Sequence, residues 1–248
     1  HAHCGWIESA EEKPTRDAYC GSVEYEVNMF SKSSNYYDEI YKSMGKDYSK
    51  EANKVHKLIQ KYVKSGGKSL LDVGCGTGHH ASLLSKHYQI VGLDLDPNIL
   101  SVARKKYPKI RFQQGSMKDF KLNKKFDAIV CLFSSIGYVK TKSGLNKAVQ
   151  TMTQHLHSGG VMLIEPWFSP DEWRNGRVFT VHVDKPELKI TRMSHGSRKG
   201  NISILKFQYL IGTSKGIQHS VEQHQLGLFS KKDYLEAFHK AGLKVIHD

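Results

Sequence analysis

Short apolar runs alternate with amphipathic helical patterns through the first two thirds of the chain. The apolar runs predict buried strands at residues 69–73, 90–94, 110–112, 126–133 and 161–164. Apolar positions spaced three and four residues apart predict helices at residues 36–41, 49–64, 79–87, 97–106 and 143–157. This alternation predicts an α/β fold with a doubly wound parallel sheet.

The pattern changes after residue 175, where polar and apolar positions alternate one by one between glycine turns. The alternating runs occupy residues 179–183, 188–194, 202–211 and 217–228. A period of two residues predicts a small antiparallel β insert of three or four strands, which we place at residues 176–228. Residues 29–175 and 229–248 then form the main α/β domain. Its last part is predicted to be a helix capped by Ser230, followed by a strand at residues 242–246.

Residues 1–28 have no amphipathic period and are expected to be an irregular, vector-derived extension, with a native start near Met29. They contain four possible metal ligands, His1, His3, Cys4 and Cys20. The spacing of these residues matches no standard zinc pattern, so no metal site is predicted.

Three glycines at alternate positions, Gly74, Gly76 and Gly78, follow the first buried strand and precede a helical pattern. The spacing differs from the G-x-G-x-x-G loop that binds a dinucleotide pyrophosphate. Asp72 lies in the strand before the loop, where a carboxylate suits the cationic amino-acid end of S-adenosylmethionine (SAM). Asp94 ends the second strand, where an acid can accept hydrogen bonds from both ribose hydroxyls.

These two segments resemble motif I and the ribose-binding acid of class I SAM-dependent methyltransferases. The resemblance implies a doubly wound, Rossmann-like sheet and SAM as the cofactor. Ser116 stands where that class usually has an acid that binds the adenine amino group, and Met117 can pack on the adenine face. The predicted cofactor-binding residues are Tyr41, Tyr48, Asp72, Gly74, Cys75, Gly76, Thr77, Gly78, Asp94, Leu95, Ser116, Met117, Leu132 and Phe133.

The segment after the fourth strand carries hydroxyl groups at Ser134, Ser135 and Tyr138. It lacks the Asn/Asp-Pro-Pro-aromatic motif with which nucleobase methylases hold a planar amine. This argues against nucleobase methylation, and the hydroxyl groups suit a sugar or another small polar acceptor.

Several further segments resemble the bacterial nucleotide-linked amino-sugar N,N-dimethyltransferases, whose products include antibiotic sugars. They are Tyr37-Asp38 with Tyr41, residues 45–48, residues 133–138, Glu165-Pro166-Trp167, and residues 192–201. The resemblance implies an amino group on a dTDP-linked sugar as the methyl acceptor, a homodimer, and an insert that binds substrate and mediates dimerisation.

The same resemblance implies roles for individual residues. Tyr41 and Tyr48 would close over SAM, although the tyrosines near residue 40 could instead pack on the core. The predicted substrate-binding residues are Glu165, Trp167, Arg192, His195 and Arg198, although the three basic residues could equally lie on a solvated strand face. Ser134 and Tyr138 are predicted to orient the acceptor, and His182, His195 and Tyr138 are candidates for a base.

Composition adds a few constraints. The formal net charge of +13 favours an anionic partner, but the lysines are spread along the chain, so nucleic acid is not the expected one. No apolar run approaches the roughly 18 residues of a membrane span. Cys75 and Cys131 are expected to be free, buried thiols, which favours a cytoplasmic location.

Two alternatives remain open from the sequence. One is a methyltransferase for another small molecule or for RNA, which would show a steep salt dependence of binding. The other is a regulatory module that binds SAM but has no activity.

Overall fold

The computed structural model describes residues 29–246 and contains two sheets. The strands of the first sheet are β1 (Ser69–Val73), β2 (Gln89–Asp94), β3 (Arg111–Gln114), β4 (Phe126–Cys131) and β5 (Leu156–Ile164). They are all parallel and lie in the order β3-β2-β1-β4-β5. The predicted parallel α/β fold is therefore confirmed.

Helices cover both faces of this sheet. They are α1 (Tyr37–Ser43), α2 (Tyr48–Tyr62), α3 (His79–Leu84), α4 (Pro97–Lys106), α5 (Lys142–Gln154) and α6 (Lys231–Lys240), with a 3₁₀ turn at Ser135–Val139. Leu70 packs on the side of α2, and its neighbour Leu71 packs on the side of α5 and α6. This alternation follows from the strand period of two and gives the sheet a buried core on each face.

The second sheet is antiparallel and confirms the predicted insert. Its strands are β6 (Val178–Lys185), β7 (Leu188–Lys199), β8 (Ile202–Thr213) and β9 (Gly216–Gly227), paired in that order. Directly paired residues share a face, so Val181, Arg192 and Tyr209 lie together on the buried inner face. Ile40 of α1 belongs to the same apolar cluster as Val181, which places α1 against the inner face.

Two predictions about local structure were wrong. Residues 243–246 form no strand, because the chain closes helix α6 with a hydrogen bond from Leu243 N–H to Phe238 O (2.9 Å), and Leu243 packs on the core. The strand predicted at residues 161–164 begins earlier, at Leu156, so the helix predicted at residues 143–157 ends at Gln154 and residues 158–160 lie within β5. Gly159, with φ of +76°, creates an irregularity there, and its carbonyl accepts a hydrogen bond from Lys64 N–H.

Other differences concern boundaries. The helix predicted at residues 79–87 ends at Leu84, and the helix predicted at residues 49–64 spans Tyr48–Tyr62. The candidate metal ligands at positions 1–20 lie outside the described residues. Within residues 29–246, no helix has the length and apolar character needed to cross a bilayer.

Candidate active site

The glycine loop joins β1 to α3 and has a backbone that requires glycine. The φ angle is +72° at Gly74, +55° at Gly76 and +76° at Gly78, a region that residues with a Cβ atom rarely adopt. The N–H groups of Gly74 and Cys75 both donate to the carbonyl of Leu93, at 2.7 and 3.0 Å. These bonds hold the loop against the end of β2.

Because glycine has no Cβ atom, the backbone of this loop can lie close to its surroundings at Gly74 and Gly76. A Cβ atom on Gly74 would lie 2.6 Å from the Cβ of Ser135, in the turn after β4. Gly76 lines a large cavity, and a Cβ atom there would meet Ile99 at 3.7 Å as its nearest neighbour. The loop therefore packs closely on the turn after β4 at Gly74, and its backbone lines the cavity at both Gly74 and Gly76.

Asp72 is a buried carboxylate with an unused acceptor. Its side chain lies in β1 and is 2% exposed. Burial raises the pKa of Asp72 to about 7, His80 opposes the rise, and the like charge of Asp94 adds to it. No described residue donates a hydrogen bond to its Oδ2 atom. Asp72 does not itself line the cavity described below, but Val73 and Gly74, which follow it, do. Because buried acceptors are usually satisfied, the unused oxygen of Asp72 suits a cationic donor at that end of β1.

Asp94 both braces the glycine loop and faces the cavity. Its Oδ2 accepts a hydrogen bond from Gly76 N–H (2.8 Å), and its Oδ1 accepts one from Asp96 N–H (3.1 Å). Burial raises the pKa of Asp94 to about 6, against the effect of these N–H donors. Each oxygen keeps a second lone pair, so the carboxylate can also accept hydrogen bonds from ligand hydroxyls.

The turn after β4 has a strained backbone at two residues. Phe133 and Ser134 have φ angles of +50° and +60°, at a cost of about 1–3 kcal/mol each for residues other than glycine. Phe133 N–H donates to Glu165 Oε2 (2.7 Å), and Ser134 Oγ donates to Pro166 O (2.8 Å). Phe133 and Ser134 line the cavity, whereas Glu165 lies outside it and supports the turn.

Helix α1, which we call the lid helix, is fastened to the glycine loop through Asp38. The Oδ1 of Asp38 accepts a hydrogen bond from Thr77 Oγ1 (2.6 Å), and its Oδ2 pairs with Lys106. Burial alone would raise the pKa of Asp38, but its hydrogen-bond donors outweigh burial and lower the pKa to about 2. The carboxylate is therefore ionised at neutral pH and holds the helix in place.

The N-terminal tyrosines take different positions. Tyr37 and Tyr41 line the cavity, with ring centroids 4.6 Å apart, and burial raises the pKa of both hydroxyls. Tyr48 is buried outside the cavity and stacks on His79, with ring centroids 4.2 Å apart. The lid hypothesis therefore depends on Tyr37 and Tyr41, while Tyr48 packs on the core.

Residues 29–34, which we call the strap, connect the two sheets across the cavity. Phe30 N–H donates to Asp96 Oδ2 (2.8 Å), next to the parallel sheet. The N–H groups of Lys32 and Ser33 donate to Glu222 Oε1 in β9, at 2.8 and 2.9 Å. The strap therefore closes one side of the cavity.

The cavity has a volume of about 1040 Å³ and lies between the carboxyl ends of the parallel strands and the inner face of the insert. This is the usual ligand site of a doubly wound sheet. Of the residues predicted from sequence, the cavity includes Tyr41, Gly74, Gly76, Asp94, Leu95, Ser116, Met117, Phe133, Ser134, Tyr138, Trp167 and Arg192.

Arg192 is the most unusual cation at the cavity. It is 5% exposed, and no described carboxylate lies within ion-pair distance of it. Its guanidinium lies over the rings of Tyr41 (5.4 Å) and Phe207 (4.9 Å) and donates from Nη2 to Met44 Sδ (3.2 Å), while no described residue accepts a hydrogen bond from its Nε. A buried guanidinium without a carboxylate fits an anionic ligand, because an unpaired buried charge is costly.

The structure places several other predicted residues outside the cavity. His182 and His195 lie on the exposed outer face of the insert, one register position away from inward-facing residues. Arg198 donates to the carbonyls of Gly200 and Pro170, and to Asn201. Cys75, Thr77, Gly78 and Leu132 support the loop and the core without lining the cavity.

Among the cavity residues that sequence reasoning missed are two buried ionisable side chains of β9. Glu222 and His224 lie on the inner face of β9 and are 6% and 3% exposed. The alternation of β9 contains a signal for them, because two ionisable residues occupy positions where apolar side chains would be expected. Sequence alone could not show which face of that strand is buried.

Comparisons with known proteins agree with this geometry. Residues 70–160 match a methyltransferase domain family. The chain is 37% identical over 223 residues to the dTDP-3-amino-3,4,6-trideoxy-alpha-D-glucopyranose N,N-dimethyltransferase of Streptomyces venezuelae, covering 89% of this chain and 92% of that enzyme.

Two solved structures extend the likeness to three dimensions. The crystal structure of Streptomyces venezuelae DesVI matches with a TM-score of 0.82 and 37% identity, covering 86% of this chain and 90% of that chain. The SAM-bound structure of CalS10, an amino pentose methyltransferase from Micromonospora echinaspora, matches with a TM-score of 0.75 and 33% identity, covering 83% and 87%.

The glycine loop, the acids in β1 and β2 and the cavity at the strand ends define a class I methyltransferase, an enzyme that uses SAM as its cofactor. This confirms the predicted fold class, cofactor and activity. The similarity over nearly the full length is more specific. The chain belongs to the family of dTDP-amino-sugar N,N-dimethyltransferases.

Proposed function

We propose that this enzyme transfers methyl groups to the amino group of a dTDP-linked deoxyamino sugar. The observation that carries the proposal is the buried Arg192 at a cavity shared by the cofactor loop and the insert. A guanidinium forms bidentate hydrogen bonds to phosphate oxygens, and the diphosphate of a nucleotide sugar supplies such oxygens. The names of the related enzymes support the same substrate class.

The residues of the chain contribute binding, orientation and exclusion of water. We assign Asp72 and Asp94 to the cofactor, which supplies an electrophilic methyl group when bound. Ser134 and Tyr138 have hydroxyl groups at the cavity and are assigned to orientation of the acceptor. The strap and the lid helix restrict access of water. Positioning of two reactants can supply roughly 7–11 kcal/mol of the acceleration, so no metal is needed in this scheme.

The proposal is tested by mass spectrometry of dTDP-3-amino- and dTDP-4-amino-dideoxyhexoses after incubation with the enzyme and SAM. We expect mass gains of one and two methyl groups on one of these sugars, which also identifies the ring position. A variant with Asp94→Ala serves as the control for cofactor-dependent turnover. SAM binding without methylation of either sugar would rule out this acceptor class.

The affinity for SAM is expected to rise with pH between about 5.5 and 8. Asp72 and Asp94, with pKa values raised to about 7 and about 6, are protonated at the lower end of this range and ionised at the upper end. A cationic ligand binds the ionised form more tightly, so the dissociation constant falls as pH rises and then levels off. One pH unit below a pKa, the expected loss in affinity is up to about tenfold.

Isothermal titration calorimetry across that range measures this dependence. The Asp72→Asn variant removes the group with the higher pKa and should lose the upper part of the dependence while retaining the lower part. A dissociation constant that does not change with pH in the unmodified enzyme would contradict the assignment of these acids to the cofactor.

We also propose that two copies associate through the outer face of the insert. Met193, Leu210 and Val221 are large apolar residues on that face, each about half exposed. Exposed apolar side chains gathered on one sheet face are typical of an interface. The original enzyme is therefore expected to sediment as a dimer, and the Met193→Lys, Leu210→Lys double variant as a monomer. A monomer in both cases would contradict the proposal.

Two buried cysteines are consistent with a cytoplasmic location. Cys75 and Cys131 are free thiols, and both lie in the core around the parallel sheet. Free thiols are typical of a reducing compartment, so we propose the cytoplasm as the place of action.

A further inference from the structure

Three polar side chains form a chain of contacts that begins at the cavity and ends at a buried carboxylate. The hydroxyl of Tyr138, in the turn after β4, lies 2.8 Å from Nδ1 of His224. On the other side of the imidazole, Nε2 lies 3.6 Å from Glu222 Oε2. All three residues line the cavity, and both His224 and Glu222 are almost completely buried.

The charges of the neighbours determine where the protons lie. Burial opposes ionisation of Glu222, but the facing His224 and the donors on Ser33 and Lys32 outweigh it and lower the pKa of Glu222. An ionised carboxylate favours a proton on the facing Nε2 atom of His224. In that tautomer Nδ1 carries no proton, so the Tyr138 hydroxyl donates the hydrogen bond to His224.

This arrangement leaves the Tyr138 oxygen with acceptor capacity towards the cavity. Burial raises the pKa of Tyr138 well above its usual value, so the phenol does not ionise by itself near neutral pH. A phenol whose proton is already donated to an imidazole is a suitable acceptor for an N–H group. The other titratable or charged groups near the Tyr138–His224 pair are Tyr37, Tyr41, Asp94, Arg192 and Tyr209.

We propose that Tyr138, His224 and Glu222 form a relay that takes the proton from the sugar ammonium group before each methyl transfer. The ammonium gives a proton to the Tyr138 oxygen, and Tyr138 gives its own proton to His224 Nδ1. The products are a neutral amine with a free lone pair, an unchanged phenol and an imidazolium that faces the Glu222 carboxylate. The imidazolium releases the proton to water when the product leaves. This inference rests on the proposed amino-sugar function.

The relay would supply the neutral amine that methyl transfer requires. An aliphatic amine with a pKa between about 8 and 10 is largely protonated at neutral pH, and a protonated amine has no lone pair for the methyl group. The same need recurs after the first methylation, because the product is again an ammonium ion. Tyr138 contacts the acceptor in this scheme, and His224 and Glu222 act through it.

The experiment compares the pH dependence of kcat for variants of the relay. His224→Gln keeps a polar side chain but cannot accept the proton at neutral pH. We expect its kcat to be lower by about tenfold near pH 7 and to recover towards that of the original enzyme near pH 9.5, where the solvent deprotonates the amine. His239→Gln is the control, since His239 is an exposed histidine of helix α6 that does not line the cavity.

A second variant keeps the test decisive if His224→Gln fails to bind SAM. Tyr138→Phe removes one hydroxyl group at the entrance of the relay and should give the same shifted pH profile. Where both variants bind SAM normally, the double variant should be no slower than the slower single variant, because the two residues act in one path.

The outcomes separate the relay from the function on which it depends. A profile parallel to that of the original enzyme, with the same fractional loss at every pH, would mean a structural role and overturn the relay alone. An unchanged kcat of the His224→Gln and Tyr138→Phe variants at neutral pH would also overturn the relay alone. No turnover of an amino sugar by the original enzyme would overturn the proposed function and the relay together.

Discussion

Replacement of Asp94 by alanine is expected to raise the dissociation constant for SAM by a hundredfold or more. The carboxylate is assigned two hydrogen bonds from ribose hydroxyls, and hydrogen bonds to charged groups contribute about 1.5–3 kcal/mol each. The substitution also removes the carboxylate that accepts from Gly76 N–H and Asp96 N–H and so helps to hold the glycine loop at the end of β2. The loss of the ribose hydrogen bonds and the loss of support for the glycine loop both weaken the binding of SAM.

Calorimetry near pH 8, where Asp94 is ionised, measures this effect. Asp184→Ala is the control, because Asp184 is an exposed acid of the insert that pairs with Lys189. Asp94→Asn separates the two losses, since its amide oxygen can still accept one N–H bond from the loop without carrying a charge. A change of less than tenfold for Asp94→Ala would mean that another residue holds the ribose.

Replacement of Arg192 by glutamine is expected to raise KM for the nucleotide sugar about a hundredfold and to leave the affinity for SAM unchanged. The guanidinium is assigned a bidentate pair with the diphosphate, inside a site that excludes most water. Two hydrogen bonds to a charged group at about 1.5–3 kcal/mol each account for at least that factor. The glutamine variant retains a polar side chain in the cavity but lacks the paired N–H donors and the positive charge of the guanidinium.

Arg198→Gln provides a comparison between two arginines of the same strand. Arg198 lies outside the cavity, and its guanidinium already donates to backbone carbonyls. We therefore expect a KM within about twofold of that of the original enzyme. Steady-state kinetics with varied nucleotide sugar tests both variants, and a larger effect for Arg198 than for Arg192 would move the phosphate site away from the cavity. Tyr41 contacts Arg192, so SAM affinity is measured in parallel.

Features that depend on neighbouring residues could be predicted from the sequence. The three glycines, the acid in β1 and the acid ending β2 lie within one β-α-β unit, so their spacing fixes their relative positions. The helix capped by Asp96 and begun by Pro97 was placed at its observed residues for the same reason.

Features that depend on packing between distant segments could not be predicted. His182 and Arg192 both belong to alternating strands, and only the pairing register shows that Arg192 faces inward while His182 faces outward. Tyr48 is buried by α3, which sequence cannot distinguish from burial by a ligand. The assembly of Tyr138 with His224 joins residues 86 positions apart along the chain.

The strap has a consequence for the order of events in the enzyme. Glu222 Oε1 is occupied by two strap N–H groups, and Oε2 of the same carboxylate faces His224. Removing the strap would take away two donors that keep this buried acid ionised, and a neutral Glu222 could not balance an imidazolium. In the proposed relay, the strap therefore couples two events: Glu222 is kept ionised, and the amine can lose its proton by this route, only while residues 29–34 cover the cavity.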